Sequence, residues 1–170
     1  FHPKKGCDLL LKALHDFPSL KLAMVGPLHE SDNSFIEKLR DLAPADRVTW
    51  TGLLTGELKW GALCAAKALI LPSHQENFGM IVAEALSVGT PVFISDKVAL
   101  SEEVLRHKCG FVEEDTFEGT RRLLRRFSEL SASDLPVLRQ NALECYRANF
   151  MPKTVAERFQ TLAQSIVSNP

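Results

Sequence analysis

The chain has 170 residues, 45% of them hydrophobic and 24% charged, which is enough for one globular domain with a sizeable core. Its 20 Lys and Arg residues against 21 Asp and Glu residues give a formal net charge of −1. This balance excludes bulk electrostatic attraction to nucleic acid or to an anionic membrane, so any anion has to be bound by a few locally placed groups.

The predicted elements alternate between strands and helices and then become entirely helical. Hydrophobic periodicity and turn residues predict strands over 20–25, 47–51, 68–71, 92–94 and 110–112. Helices are predicted over 7–17, 34–42, 58–66, 78–88, 100–107, 118–130, 134–149 and 154–167. This alternation indicates an α/β, Rossmann-like fold with one parallel sheet of five strands, helices on both faces and a helical C-terminus. Because Phe1 leads directly into a turn and no strand precedes the first helix, we expect a fragment that lacks a sixth, N-terminal strand.

The four cysteines are widely separated and form no Cys-x-x-Cys pair: Cys7, Cys64, Cys109 and Cys145. This spacing predicts neither a disulfide framework nor a zinc site and favours a reducing, cytoplasmic compartment. The sequence has no Asp-x-Asp motif and no histidines at metal-ligand spacing, so we expect neither a metal nor a cofactor. No apolar run reaches membrane-spanning length, and no secretory signal is present.

Two charged clusters are interpreted as solvated surface. The densest basic patch consists of four arginines at helical spacing, which favour a solvated helix face over a partner site: Arg121, Arg122, Arg125 and Arg126. The acidic run Glu113, Glu114 and Asp115 is interpreted as a solvated turn.

Ligands of an open α/β sheet bind outside the carboxyl ends of its strands. That rule selects the loops at 26–31, 52–57, 72–79 and 95–99. The turn at 3–6 joins them if a strand precedes it. The candidate residues described next lie in these segments or directly after them.

Two carboxylates bracket the predicted start of a helix. Glu76 follows a predicted strand, Gly79 begins the helix, and Glu84 lies inside it among apolar residues. Unpaired amides at a helix N-terminus can receive a phosphate, and a glycine there lets the ligand approach the backbone. A carboxylate can accept two O–H bonds from a vicinal diol. The alternatives are that Glu76 is only a loop residue or a cap of the helix, and that Glu84 only faces solvent.

The motif around these residues resembles the Glu-x7-Glu signature of retaining glycosyltransferases of family 4, which have the two-domain GT-B fold. The resemblance rests on Pro72-Ser73-His74-Gln75-Glu76-Asn77-Phe78-Gly79, on Glu84-Ala85-Leu86 and on Gly89-Thr90-Pro91-Val92. Lys5-Gly6, Val25-Gly26, the segment 48–52 and Gly110-Phe111-Val112 are similar to further segments of the family. The resemblance therefore covers almost the whole chain.

The resemblance implies a role for each matching position. Glu84 would hold the ribose hydroxyls of a nucleotide, and Glu76 would hold hydroxyls of the donor sugar. Lys5 would neutralise the diphosphate as it leaves. The alternative is that Lys5 is only an exposed lysine in a turn. The other implied donor-binding positions are Asn77, Phe78, Gly79, Met80, Ile81, Gly26, Leu53 and Leu54.

Some positions depart from the family pattern or have two interpretations. Leu53 and Leu54 would contact the base through their backbone, and core packing is the equal alternative. The turn Gly26-Pro27-Leu28-His29 lacks the glycines that are common in the family. His74 is interpreted as a loop residue and not as a base. The arginine that the family carries just before the position of Phe1 is absent.

The implied function is transfer of a sugar from a UDP- or GDP-linked donor to an acceptor, with retention of configuration and without a metal. Residues 1–170 would form the sugar-nucleotide-binding domain, while an N-terminal domain outside the sequence would hold the acceptor. The fragment alone would then transfer sugar poorly. The expected setting is polysaccharide or lipid-linked glycan synthesis in the cytoplasm, with the full enzyme associated peripherally with the inner face of a membrane. Two alternatives are a GT-B sugar-nucleotide epimerase and a non-catalytic nucleotide-binding module.

Overall fold

A computed structural model describes residues 1–28 and 33–168 of the chain. The strands are β1 (Leu22–Val25), β2 (Val48–Gly52), β3 (Leu69–Leu71), β4 (Val92–Ser95) and β5 (Gly110–Glu113). The helices are α1 (Cys7–Leu14), α2 (Asn33–Leu42), α3 (Gly56–Ala65), α4 (Met80–Ser87), α5 (Ser101–His107), α6 (Phe117–Ser128), α7 (Asp134–Asn149) and α8 (Pro152–Ser168). A short 3₁₀ turn, Pro3–Lys5, precedes α1. The predicted order of elements and the α/β class are confirmed.

The strands are parallel, but they form two sheets where one five-stranded sheet was predicted. β1 pairs with β2, while β4 lies between β3 and β5. Among the described residues, no ladder joins β1 to β3. The prediction of one continuous sheet was therefore wrong. Hydrophobic runs identify strands, but they do not show which backbones lie about 4.8 Å apart, and neighbours in a doubly wound sheet are not neighbours in sequence.

The core is centred on β4, whose four residues are all buried. Val92 and Ile94 pack with the apolar residues of α4 and α5. Phe93 points to the other face, where its ring lies 5.1 Å from that of Phe111 and 5.5 Å from that of Phe127. Burial on both faces explains why this strand is apolar throughout and does not alternate.

Helix α1 connects the two sheets through its packing. Leu10 and Ala13 of α1 pack with Leu124 of α6, and this cluster contacts both Leu22 of β1 and Ile70 of β3. The two sheets thus share a helical layer although no backbone hydrogen bonds join them in the described part of the chain.

The prediction that the acidic run 113–115 is a solvated turn was wrong, because Glu113 is the last residue of β5 and is largely buried and paired. Its side chain is 12% exposed and accepts hydrogen bonds from Arg122 Nε at 2.7 Å and Arg126 Nε at 2.9 Å. Arg122 also pairs with Glu114. The basic patch lies on α6 as predicted, but two of its arginines hold this helix against the end of β5. Sequence periodicity shows the helix face and not the groups that it meets.

This network predicts an acid-sensitive contribution to stability. Burial by itself would raise the pKa of Glu113, but the hydrogen bonds and charges of Arg122 and Arg126 outweigh it and lower that pKa. A lowered pKa stabilises the fold above the unfolded value of about 4.3, and this stabilisation is lost as the pH falls through the folded value. We expect Glu113→Gln to lower the free energy of unfolding by about 1 kcal/mol at pH 7.

Urea denaturation of the parent and the Glu113→Gln variant at several pH values checks this expectation. The difference should be constant from pH 7 to about pH 5 and should shrink below about pH 4. The matched control is Glu129→Gln, because Glu129 is exposed at the end of the same helix. A difference that is absent at pH 7, or that does not change with pH, would contradict the assignment.

Candidate functional site

The turn at Pro3–Lys5 lies against the loop that follows β3. The amide of His74 donates to the carbonyl of Lys4 at 2.8 Å, and the Lys5 ammonium forms a hydrogen-bonded ion pair with the Glu76 carboxylate. Gly6 has a φ of 63°, and a Cβ there would lie 2.1 Å from the carbonyl oxygen of Pro72. The approach therefore requires a glycine, and it brings together Lys5 and Glu76, which are 71 positions apart.

The backbone of Glu76 is fixed on its other side by the loop after β4. Its amide donates to the carbonyl of Lys97 at 3.2 Å, and its own carbonyl accepts from the amide of Ala99 at 3.3 Å. The Glu76 side chain is 17% exposed and faces Lys5. It does not cap α4, because the N-cap residue is Gly79 and no side chain hydrogen-bonds at that position. The capping alternative for Glu76 is therefore wrong.

The start of α4 presents amides that are free to bind an anion. Gly79 adopts a left-handed conformation with φ 78° and ψ 53°, which favours glycine. In the described part of the chain, the amides of Gly79, Met80 and Ile81 donate to no protein acceptor. Met80 is 62% exposed and Gly79 is buried, so this end of the helix is open to solvent on the side of Met80. The amides and the helix dipole together suit a phosphate group.

Glu84 lies one helical turn beyond Met80, so the two residues share a helix face. Its side chain is 22% exposed, and Oε1 accepts a hydrogen bond from Lys59 Nζ of α3 at 2.8 Å. Glu84 is thus a partly buried, paired carboxylate, and the alternative that it only faces solvent is wrong. The four neighbouring positions on α4 that are buried are apolar or small: Val82, Ala83, Ala85 and Leu86.

Lys59 is the residue that the sequence interpretation missed. It belongs to the first turn of α3, directly after the selected loop at 52–57, so its position near a strand end was a usable signal. Its pairing with a residue 25 positions away was not readable, because it depends on how α3 packs against α4.

Other predicted positions lie at the ends of β1 and β2 and in the loops that follow them. The Gly26 amide donates to the Gly52 carbonyl at 3.0 Å, so the ends of β1 and β2 meet. Leu53 is 65% exposed, which rules out core packing for this side chain, whereas Leu54 is half-buried. His29, with the rest of the loop up to residue 31, lies outside the described residues.

Asn77 and Phe78 lie in the exposed part of the loop before α4. The Phe78 ring is 45% exposed and packs edge-on against Phe150 at a centroid distance of 6.2 Å. His74 is a loop residue, as predicted, and its Nδ1 lies 3.0 Å from Oδ2 of Asp115. The loop thus has anchors on both sides of Glu76.

Residues 1–28 and 33–168 contain no group of three or more His, Cys, Asp or Glu side chains that could hold a metal ion. No helix in the same ranges combines the length and apolar composition that crossing a membrane requires.

Comparison with known proteins identifies the family. The sequence profile described as glycosyl transferases group 1 matches residues 1–138. The chain is 32% identical over 114 residues to a D-inositol 3-phosphate glycosyltransferase of Mycobacteroides abscessus, a match that covers 65% of this chain and 26% of the relative. The chain therefore matches only about a quarter of the length of that relative.

Solved structures share the fold over nearly the entire chain. Sucrose-phosphate synthase from Thermosynechococcus elongatus superposes with a TM-score of 0.80 and 24% identity, covering 99% of this chain and 44% of that one. Anabaena HepE, solved in complex with UDP and glucose, superposes with a TM-score of 0.79 and 20% identity, covering 99% and 46%. The chain thus belongs to the group 1 glycosyltransferases, and its fold is that of the C-terminal domain of a GT-B glycosyltransferase.

Proposed function

We propose that this chain binds a nucleotide diphosphate sugar and is the donor-binding domain of a retaining, metal-independent glycosyltransferase of family 4. The observation that carries the proposal is the open start of α4, where three unpaired amides lie between two acid–lysine pairs, Lys5–Glu76 and Lys59–Glu84. Family membership favours a transferase over the epimerase and over a non-catalytic module.

The diphosphate, the ribose and the sugar of the ligand each have a chemically suitable partner in this arrangement. The amides of Gly79, Met80 and Ile81 would receive the diphosphate, whose negative charge the helix N-terminus favours. Glu84 would accept hydrogen bonds from ribose hydroxyls, and Glu76 would accept them from hydroxyls of the sugar. The presence of UDP and glucose in the structure of the Anabaena protein supports this class of ligand.

Lys5 would act on the departing diphosphate. As the bond between the sugar and the diphosphate breaks, negative charge develops on the leaving oxygen, and a fixed ammonium with aimed amides stabilises that charge. In the structure the same ammonium pairs with Glu76, so the cation is held at the site before a ligand binds.

The acceptor would be bound by a second domain. The chain covers 44% of the sucrose-phosphate synthase chain and 26% of the mycobacterial relative, which leaves room in proteins of this family for a further domain. We propose that this chain supplies the donor side of a cleft and that sugar transfer requires the other side.

Thermal denaturation with separate nucleoside diphosphates tests the proposal. We expect one of UDP, GDP and ADP, at one hundred times its Kd, to stabilise the chain by about 2.7 kcal/mol, which corresponds to a rise in Tm of roughly 5–10 °C. Inorganic diphosphate at the same concentration should have a smaller effect, because it lacks the ribose that Glu84 would hold. If none of the three nucleotides raises the Tm, the proposal is wrong.

A further inference from the structure

Lys59 is a cation next to the candidate ribose site, and the function proposed above gives it no direct contact with the ligand. Its Nζ lies 2.8 Å from Oε1 of Glu84, and the two side chains are 31% and 22% exposed. The same ammonium lies 4.8 Å from the centroid of the Trp60 ring, a distance typical of a cation–π contact. Lys59 is therefore held in place by two groups.

The hydrogen bond occupies only one of the two carboxylate oxygens. An ionised carboxylate can accept about four hydrogen bonds, so Oε2 and the free lone pair of Oε1 remain available. In the described part of the chain, Oε2 has no protein partner. The pair thus leaves an oriented acceptor surface beside the start of α4.

We propose that Lys59 is a positioning residue that orients Glu84 and thereby sets the preference of the site for ribonucleotides over 2′-deoxyribonucleotides. The inference rests on the proposed function, because it assigns the ribose to Glu84. Its physical basis is preorganisation: a glutamate that is already immobilised loses less side-chain freedom when two hydroxyls bind to it. A free glutamate would have to be ordered by the ligand.

The place of Lys59 in the fold fits this role. It lies in the first turn of α3, directly after the loop that begins at Gly52 and carries the exposed Leu53. The pair therefore links the segment after β2 to α4, and α3 otherwise buries only Leu63 against this part of the molecule. A partly exposed ion pair contributes little to stability, so a large effect on the fold is not expected from Lys59.

Isothermal titration calorimetry with the nucleoside diphosphate that stabilises the parent, and with its 2′-deoxy form, tests the inference. We expect the parent to prefer the ribonucleotide at least tenfold. Lys59→Met should weaken ribonucleotide binding about three- to tenfold and change 2′-deoxynucleotide binding less than twofold. Lys59→Arg should restore part of the preference, because it retains a cation next to Glu84.

Two controls separate positioning from a general electrostatic effect. Lys67→Met removes an exposed lysine that follows the same helix and should leave both affinities unchanged. In a Glu84→Gln background, Lys59→Met should have no further effect on the preference, because the group that it positions is gone.

The outcomes distinguish the inference from the proposed function. If Lys59→Met lowers both affinities equally, or neither, while the parent prefers the ribonucleotide, Lys59 does not position Glu84 and the inference is overturned. If Lys59→Met still alters the preference in the Glu84→Gln background, the inference is also overturned. A parent that binds no nucleoside diphosphate contradicts the proposed function itself.

Discussion

Replacement of Glu84 by glutamine is expected to weaken the binding of a ribonucleoside diphosphate about 10- to 100-fold. Hydrogen bonds to a charged group contribute about 1.5–3 kcal/mol, and a neutral amide cannot reproduce them. The substitution keeps the size of the side chain but removes the charge opposite Lys59 Nζ, which lies 2.8 Å from the carboxylate. The amide of glutamine also carries a donor that cannot pair with an ammonium.

Titration calorimetry of the Glu84→Gln variant with the nucleotide and with inorganic diphosphate gives the measurement. Affinity for inorganic diphosphate should be unchanged, because that ligand would bind to the amides at the start of α4 and to Lys5 and would not contact Glu84. The matched control is Glu102→Gln, since Glu102 is an exposed carboxylate in the first turn of α5. Equal weakening of both ligands would mean that Glu84 acts through the helix and not through the ribose.

The fold of Glu84→Gln should remain intact. Partly exposed ion pairs such as Lys59–Glu84 contribute about 0–1 kcal/mol to stability, so the Tm without ligand should fall by no more than a few degrees. This expectation makes the loss of nucleotide binding interpretable, because an unfolded variant would also fail to bind.

Replacement of Gly110 by alanine is expected to prevent stable folding. Gly110 begins β5 opposite Val92 of β4, and a Cβ at Gly110 would lie 1.7 Å from the Val92 carbonyl oxygen and 3.0 Å from its nitrogen. These are backbone atoms of a fully buried strand, so they cannot turn aside as a side chain can. We expect a loss of more than about 4 kcal/mol, comparable with the total stability of many domains.

Circular dichroism and urea denaturation of the purified Gly110→Ala variant provide the check. The control is Gly61→Ala, because Gly61 lies within α3 and a Cβ there would have no atom within 4 Å. That substitution should leave stability unchanged or raise it by about 0.5–1 kcal/mol, since alanine favours a helix more than glycine does. A Gly110→Ala variant with the parent's unfolding midpoint would contradict the packing described for β4 and β5.

The two substitutions test different properties: Gly110→Ala tests the packing of the fold, and Glu84→Gln tests the binding of the ligand. Gly110 allows β5 to pack against β4, and the loop after β4 then fixes the backbone of Glu76 through Lys97 and Ala99. Glu84 acts at the ligand itself. Loss of Gly110 should therefore remove binding together with the fold, whereas loss of Glu84 should remove binding alone.

Much of the architecture follows from local sequence patterns. Apolar runs about four residues long, separated by amphipathic segments, were sufficient to predict the order of strands and helices, because side-chain burial repeats with the period of each element. Gly79 and the two glutamates were also recognisable as a helix start bracketed by acids. These properties depend on residues close together in the sequence.

Tertiary structure alone decided which groups meet. Lys5 pairs with Glu76, which is 71 positions away in the sequence, and Lys59 pairs with Glu84, which is 25 positions away. Glu113 accepts hydrogen bonds from Arg122 and Arg126 of the following helix. It also decided that β1 and β3 share no ladder in the described chain, against the single sheet that was predicted. Periodicity shows the face of an element on which a side chain lies, but the partner of a half-buried charge depends on how the elements pack together. The sequence therefore determined both acids of the candidate site. Only the fold supplied the lysine that pairs with Glu84.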